Sequence, residues 1–126
     1  MNSIDPKDRA ICMELGDEAL AYQGAVAPPL FLNSLFSFAT VQKLHEALDN
    51  EKNAVIYTRG NNPTTMLAEQ KIAALERAEA TKLFSSGMAA ISSVLFTLCK
   101  SGSHVVCINS IYGPTLKYLS YLKKFG

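Results

Sequence analysis

A short apolar run, a turn of small residues and a helix-forming segment follow one another between Thr81 and Leu98. The turn reads Ser85-Ser86-Gly87-Met88, and either serine can act as an N-cap for the segment that follows. Gly87 has no Cβ, so its backbone can come close to a bound group. Free N–H groups and the positive end of the helix dipole converge at such a turn. We therefore predict that a phosphate group binds the N–H groups of Gly87 and Met88, although a simple helix cap is the favoured alternative for this segment alone.

The length and charge of the chain limit the kinds of function to consider. It has 126 residues, enough for one domain, with 48% hydrophobic and 18% charged residues and a net charge of +1. Such a weak charge predicts no nucleic-acid partner and no binding to an acidic membrane surface. No run of 18 apolar residues is present, so we expect no membrane span.

The cysteines and the N-terminus indicate a compartment. Cys12, Cys99 and Cys107 form no close pair, which fits a reducing cytosol. Residues 1–9 contain acidic side chains and no apolar core segment, so they do not resemble a secretory signal. His45 and His104 are isolated and lack metal-ligand spacing, so we predict no metal site. We expect a cytoplasmic protein.

Capping residues and apolar periodicity predict an alternation of helices and strands. Strands are expected at 81–84 and 104–108, where short apolar runs are typical of parallel strands covered on both faces. The predicted helices run from Asp5-Pro6 to about Tyr22, from Thr40 to about Asn50, from Asn62-Pro63 to about Ala80, from the Ser-Ser-Gly turn to about Leu98, and from Pro114 towards Gly126. Ile91, Val94, Leu95 and Leu98 form the expected buried face of the fourth helix.

The segment 24–37 is expected to be an irregular arm. Pro28-Pro29 prevents both a helix and a central strand, yet the arm is rich in apolar residues such as Phe31, Leu32 and Leu35. An arm of this composition needs a surface to lie on. A second subunit and the same chain are equally good candidates for that surface.

The order helix, β, α, β, α predicts an α/β fold with right-handed crossovers. Two parallel strands are too few for a stable sheet, and the last helix has no third strand to which it could return. We therefore expect the chain to be the N-terminal part of a larger α/β protein.

Several ordered motifs resemble one family of pyridoxal-phosphate (PLP) enzymes, those of Cys/Met metabolism. The group includes cystathionine γ-synthase, cystathionine lyase, methionine γ-lyase and O-acetylhomoserine sulfhydrylase. The resemblance covers about residues 22–126 and is carried by Gly24–Leu30, Ile56–Thr64, Leu75-Glu76, Phe84–Ile91 and Tyr112–Thr115. It implies the first β-α-β-α units of an aspartate-aminotransferase-like (fold type I) domain. Residues 1–54 would then be an N-terminal arm with interface helices, and residues 55–126 the start of the large PLP-binding domain.

The resemblance also implies a role for individual residues. Tyr57 and Arg59 match the pair that reaches across the dimer interface to the cofactor phosphate of the neighbouring subunit, for which a guanidinium fork is well suited. Gly87 and Met88 match the backbone donors to the same phosphate. Tyr112 matches the tyrosine that stacks on the pyridine ring, and its hydroxyl is able to act as an acid or a base. Without the resemblance, the simpler interpretation is that Arg59 is a surface arginine, Tyr57 an interface aromatic residue and Tyr112 a tyrosine in a turn.

The implied activity is transsulfuration or carbon–sulfur lysis on sulfur amino acids or activated homoserine, in a homotetramer built as a dimer of dimers. The family's Schiff-base lysine and its pyridine-pairing aspartate are not matched in this chain, because Lys82, Lys100 and Lys117 have the context of helix-end or surface charges. We therefore expect the 126 residues alone to be inactive. The alternative is a non-catalytic remnant or interaction module that retains the dimerising and phosphate-binding surface.

Overall fold

The computed structural model describes residues 4–16 and 22–126, and within them it is helical with extended connections. The first helix, predicted to reach about Tyr22, ends at Glu14, and Leu20 of its predicted apolar stripe lies outside the described residues. The helices are α1 (Pro6–Glu14), α2 (Val41–Asp49), α3 (Pro63–Leu75), α4 (Gly87–Leu98) and α5 (Gly113–Leu122), followed by a 3-10 turn at Lys123–Phe125.

Four of the five helices begin at the capping residue that the sequence predicts. The side chain of Thr40 accepts a hydrogen bond from Lys43 N at 3.2 Å, and that of Asn62 accepts one from Thr64 N at 2.9 Å. Of the two candidate serines, Ser86 is the cap of α4 and accepts from Ala89 N at 3.1 Å. Asp5 caps α1 in the same way. These side chains satisfy N–H groups that the helix itself cannot pair.

Helix α3 ends at Leu75, earlier than the predicted end near Ala80. Arg77 has a positive φ of 56°, and the N–H of Ala78 reaches back to Ala73 O at 2.9 Å while that of Arg77 reaches Ala74 O at 3.3 Å. This pairing is a Schellman motif, which ends a helix by turning one residue into the left-handed region. Apolar spacing does not reveal that turn, because an arginine occupies the position where glycine is usual.

The two predicted strands do not form a sheet in the described residues. Residues 81–84 and 103–108 are extended, and the one β-bridge in the described ranges joins Leu35 to Tyr57 in antiparallel fashion. A strand exists only through hydrogen bonds to a neighbour, and neither segment has such a neighbour here. The β-α-β-α order is therefore not confirmed, although the five helices begin close to their predicted starts and the predicted strand segments are extended.

The chain divides into two compact units, Met1–Lys82 and Leu83–Gly126. In the first unit α1 packs on α3, and the contact is held by polar groups. Arg77 Nη2 pairs with Asp8 Oδ1 at 2.6 Å, and Lys71 Nζ donates to the carbonyl of Cys12 at 3.0 Å. The hydrogen bond to Asp8, followed by the negative charge of that carboxylate, raises the pKa of the Arg77 guanidinium.

In the second unit α4 and α5 flank an open apolar groove of about 360 Å³. The expected burial of the α4 face is wrong for the described residues, none of which is a fully buried apolar side chain: Val94 is 54% and Leu98 76% exposed. Apolar side chains are removed from water only when another layer covers them, and the groove is open. Its lining comes from both helices and the preceding extended segment: Ala90, Ile91, Val94, Leu95, Val105, Val106, Cys107, Ile111, Thr115 and Leu119.

Within the described ranges, no helix is both long and apolar enough to cross a bilayer.

Candidate functional site

Tyr57 and Arg59 form an exposed cation–π pair in the loop that the Leu35–Tyr57 bridge joins to the arm. The guanidinium carbon of Arg59 lies 4.8 Å from the centre of the Tyr57 ring. Among the described residues Arg59 has no carboxylate partner, so its N–H donors face solvent. A guanidinium stacked on an aromatic face keeps its planar donors available for an anion.

Backbone pairing with the arm holds this loop in place. The N–H of Phe36 donates to Ile56 O at 3.2 Å, and the N–H of Thr58 donates to Ser34 O at 2.9 Å. The hydroxyl of Thr58 also donates to Asn33 O at 2.6 Å. The residue between Tyr57 and Arg59 is therefore attached to the arm through both its backbone and its side chain.

Asn61 is 8% exposed and organises the turn that follows. Its side-chain amide donates to the carbonyl oxygens of Glu51, Lys52 and Ala54 at 3.3, 2.9 and 3.0 Å. Its backbone N–H, like that of Gly60, points to Tyr57 O. A buried amide that meets three carbonyls satisfies polar groups that would otherwise be costly to remove from water.

Asn62 is 3% exposed and joins three parts of the first unit. Its Oδ1 caps α3, while its Nδ2 donates to Phe31 O at 2.9 Å and to Thr58 Oγ1 at 3.0 Å. The arm is fixed from a second direction, since Phe31 N donates to Thr64 Oγ1 at 2.9 Å. The sequence identified Asn62 only as a helix cap; the contacts of Nδ2, and the whole role of Asn61, depend on residues distant in the chain.

The first turn of α4 presents two unpaired donors to solvent. In the described part of the chain the N–H groups of Gly87 and Met88 meet no acceptor, whereas the side chain of Ser86 accepts from Ala89 N and its carbonyl from Ala90 N. Gly87 is exposed, and a Cβ built on it would have no neighbour within 4 Å. The geometry leaves both donors open to an anion.

Tyr112 stands at the start of α5, close in the chain to a contact with α4. Its carbonyl accepts from Thr115 N at 2.9 Å and Leu116 N at 3.2 Å, and its side chain is 64% exposed. Thr115, at 5% exposure, donates its hydroxyl to Met88 Sδ at 3.7 Å. The first turns of α4 and α5 are thus in direct contact, through a threonine that sequence analysis recognised only as part of a motif.

The structure therefore groups the predicted site residues in two sets. Tyr57 and Arg59 contact each other in the first unit, and Gly87, Met88 and Tyr112 belong to the adjoining helix starts of the second. These sets lie in different compact units.

A phosphate group fits the donors of the second unit. A helix N-terminus with free N–H groups favours an anion through hydrogen bonds and through the dipole. Helix α4 has 12 residues and no acidic side chain in its first turn, so its positive end is not already neutralised. A Cβ built on Gly87 would have no described atom within 4 Å, so the space beside its backbone is open.

Neither Lys82 nor the metal-binding side chains of the described ranges point to a competing site. Lys82 Nζ pairs with Glu69 Oε2 at 3.2 Å, as a surface charge does. No group of three or more His, Cys, Asp or Glu side chains comes together there in a way that could hold a metal ion.

Comparison with known proteins identifies the family. The sequence model of the Cys/Met metabolism PLP-dependent enzymes matches residues 10–126. L-methionine gamma-lyase of Fusobacterium nucleatum subsp. nucleatum is 43% identical over 104 residues, which are 82% of this chain and 26% of that relative. L-methionine gamma-lyase of Pseudomonas deceptionensis is 38% identical over 112 residues, or 88% of this chain and 28% of that protein.

A relative with another named activity matches over a similar region. O-succinylhomoserine sulfhydrylase of Pseudomonas aeruginosa is 36% identical over 105 residues, covering 82% of this chain and 26% of the relative. The chain thus spans about a quarter of the length of these curated relatives. None of these matches specifically supports a non-catalytic remnant. With its motifs, its helix starts and a match over residues 10–126 in agreement, the chain belongs to the Cys/Met metabolism family of PLP-dependent enzymes.

Proposed function

We propose that this chain is the N-terminal segment of a PLP-dependent carbon–sulfur lyase or transsulfuration enzyme that acts on sulfur amino acids or activated homoserine. Family membership supports PLP as the cofactor, and the lyase and sulfhydrylase relatives support the substrate class. In this proposal residues 1–54 form an arm with interface helices, and residues 55–126 begin a fold type I PLP-binding domain in a cytoplasmic enzyme.

The observation that carries the proposal is the pair of free N–H groups at the start of α4. We assign Gly87 and Met88 as backbone donors to the cofactor phosphate, with the dipole of α4 adding to the attraction. The Met88 side chain has a separate, structural role, since its sulfur accepts the hydroxyl of Thr115.

Arg59 is assigned to the phosphate of a second copy of the chain, and Tyr57 to its support. The guanidinium is stacked, exposed and without a carboxylate partner among the described residues, which suits it to bind an anion from outside its own unit. The arm supports a homo-oligomer, because Leu30, Leu32 and Leu35 are 72%, 91% and 67% exposed. Apolar side chains grouped in this way are typical of a surface that another subunit covers.

Tyr112 is assigned to the cofactor ring and to proton transfer. Its exposed ring at the start of α5 is suited to offset stacking, and its Oη is the atom that would hold or deliver a proton near the leaving group. When bound, PLP supplies the electron sink that stabilises a carbanion at the substrate α-carbon. We assign the covalent lysine and the pyridine-pairing aspartate to no residue of this chain.

One pair of variants tests the phosphate site. Gly87 is the first helical residue, where proline is well accepted, and Ser86 before it is extended with ψ of 158°, as proline requires of its predecessor. Gly87→Pro therefore removes one N–H donor without disturbing the helix, whereas Gly87→Ala adds a Cβ and keeps the donor.

We expect the proline variant to bind PLP and inorganic phosphate about tenfold more weakly than the alanine variant, corresponding to the loss of about one charge-assisted hydrogen bond. Isothermal titration measures both affinities, and circular dichroism verifies equal helix content. Equal affinity in the two variants would exclude Gly87 N–H as a phosphate donor.

A further inference from the structure

The polar contacts around Thr58 connect the helix cap of α3 to the residues on either side of that threonine. Asn62 Nδ2 donates to Thr58 Oγ1 at 3.0 Å, and the hydroxyl of Thr58 donates in turn to Asn33 O at 2.6 Å. We name this chain of two hydrogen bonds, from Asn62 through Thr58 to Asn33, the asparagine relay. It runs from the start of α3 to the arm and passes through the residue that separates Tyr57 from Arg59.

The burial of Asn62 fixes the geometry of the asparagine relay. Asn62 is 3% exposed, and the second hydrogen of its amide is taken by Phe31 O at 2.9 Å. The described residues contain no buried side-chain polar atom without a partner. An amide whose donors and acceptor are all used has one orientation, because any rotation would break buried hydrogen bonds.

Helix capping alone requires only half of this side chain. The acceptor Oδ1 takes the N–H of Thr64 and would do so equally well as part of an aspartate. The donor Nδ2 contributes nothing to the cap, because it donates to the arm at Phe31 O and to Thr58 Oγ1. Asparagine at this position therefore performs two separable tasks.

We propose that Asn62, acting through Thr58, is the positioning residue that holds the Tyr57–Arg59 stack in place for an anion. This inference rests on the proposed function of Arg59 as a phosphate ligand. An arginine on an unconstrained loop loses backbone entropy as well as side-chain entropy on binding. A loop fixed on both sides of Thr58 reduces that cost, since the backbone that carries the guanidinium is already ordered.

The test separates capping from positioning with Asn62→Asp. The aspartate retains the acceptor for Thr64 N but replaces the donor with an oxygen that faces Phe31 O and Thr58 Oγ1. Gln70→Glu is the matched control, because it makes the same amide-to-carboxylate change on the exposed side of the same helix. Thr58→Val is a second, milder variant that interrupts the relay without adding charge.

The readout is the NMR ring-current shift that the Tyr57 ring imposes on the side-chain protons of Arg59 in the full chain. We expect Asn62→Asp to lose most of this upfield shift while the circular dichroism of the helices is unchanged, Thr58→Val to lose a substantial part, and Gln70→Glu to retain it. If Thr58→Val and Asn62→Asp both keep the wild-type shift, the proposal is overturned; if the aspartate variant unfolds, the valine variant alone decides.

A second titration distinguishes this inference from the proposed function. Inorganic phosphate added to the wild-type chain is expected to shift the Arg59 side-chain resonances, and to do so at higher phosphate concentration in Thr58→Val. Absence of any response in the wild type would contradict the phosphate role of Arg59, while the ring-current result would still establish what positions the stack.

Discussion

Thr115 donates its hydroxyl to the sulfur of Met88 at 3.7 Å, and this contact joins the first turns of the two helices that carry the proposed cofactor contacts of the second unit. Met88 supplies a backbone donor on α4, whereas Thr115 lies three residues after Tyr112 on α5. The proposed phosphate donors and the proposed stacking ring thus lie at helix starts that touch directly.

Replacing Thr115 by valine tests that contact. Valine preserves the shape of the buried side chain but removes the donor, and a thioether is a weak acceptor that loses little when left alone. We expect the free energy of unfolding to fall by about 0.5 kcal/mol in urea denaturation, the lower end of the range for a hydrogen bond. Thr115→Ser, which keeps the hydroxyl but loses a methyl group, is the companion variant; an unchanged midpoint for valine would show that the hydrogen bond contributes nothing.

We expect the planar guanidinium of Arg59 to contribute to PLP binding beyond its positive charge. Lysine keeps the positive charge but presents a single point donor and lacks the planar surface that stacks on Tyr57. We expect Arg59→Lys to weaken the binding of PLP to the assembled protein by about tenfold, measured by titration. Arg9→Lys, at another exposed arginine, should leave the affinity unchanged. A similar loss in both variants would show that the effect is not specific to the position of Arg59.

Two substitutions of Tyr112 separate ring stacking from hydroxyl chemistry. Phenylalanine retains the flat face, so we expect Tyr112→Phe to bind PLP as the wild type does. Tyr112→Leu removes the aromatic face and should weaken binding roughly 2- to 10-fold, the range expected for an aromatic contact. Equilibrium titration of both variants gives the comparison. Equally weaker binding in both variants would instead indicate a hydrogen bond from the hydroxyl to the cofactor.

Loss of the Asn61 amide should destabilise the turn that leads into α3. Asn61→Ala leaves the carbonyl oxygens of Glu51, Lys52 and Ala54 without their side-chain donor in a site that is largely closed to water. We expect a loss of about 1–3 kcal/mol of unfolding free energy, measured by denaturant titration. Asn53→Ala, whose amide meets only the exposed Asn50 side chain, is the control. Equal effects of the two changes would show that the three carbonyl contacts of the Asn61 amide do not stabilise the turn.

The pair of Asp8 with Arg77 is expected to hold α1 against α3. Asp8→Asn should increase hydrogen–deuterium exchange in α1, whereas Glu14→Gln in the same helix should leave it unchanged. Asp8 raises the pKa of Arg77, so the stabilisation from the guanidinium is complete below its ordinary pKa and is lost only as pH rises through the raised value. Protection that falls already between neutral and mildly alkaline pH would contradict this assignment.

Local sequence was sufficient to predict where the helices begin. The caps Asp5, Thr40 and Asn62 each accept an N–H group two or three residues further on, so the interaction is contained in a few neighbouring positions. The Ser-Ser-Gly-Met turn could be recognised for the same reason. The family, too, followed from motifs in the sequence, and the match over residues 10–126 confirms it.

The strands and the buried face of α4 could not be settled in the same way. Both depend on a partner: a strand on neighbours with which to exchange hydrogen bonds, an apolar face on a layer that covers it. In the described residues the segments at 81–84 and 103–108 are extended without pairing, and Val94 and Leu98 remain exposed.

The sequence by itself determined the helix starts, the glycine turn with its free donors, and membership in the family, because each is encoded within a short stretch of chain. Only the tertiary structure decided that Asn62 reaches Phe31, 31 positions away, and that Thr115 reaches Met88, 27 positions away. Those contacts form when distant segments pack together. Their partners are chosen by the path of the whole chain, which no local pattern of residues specifies.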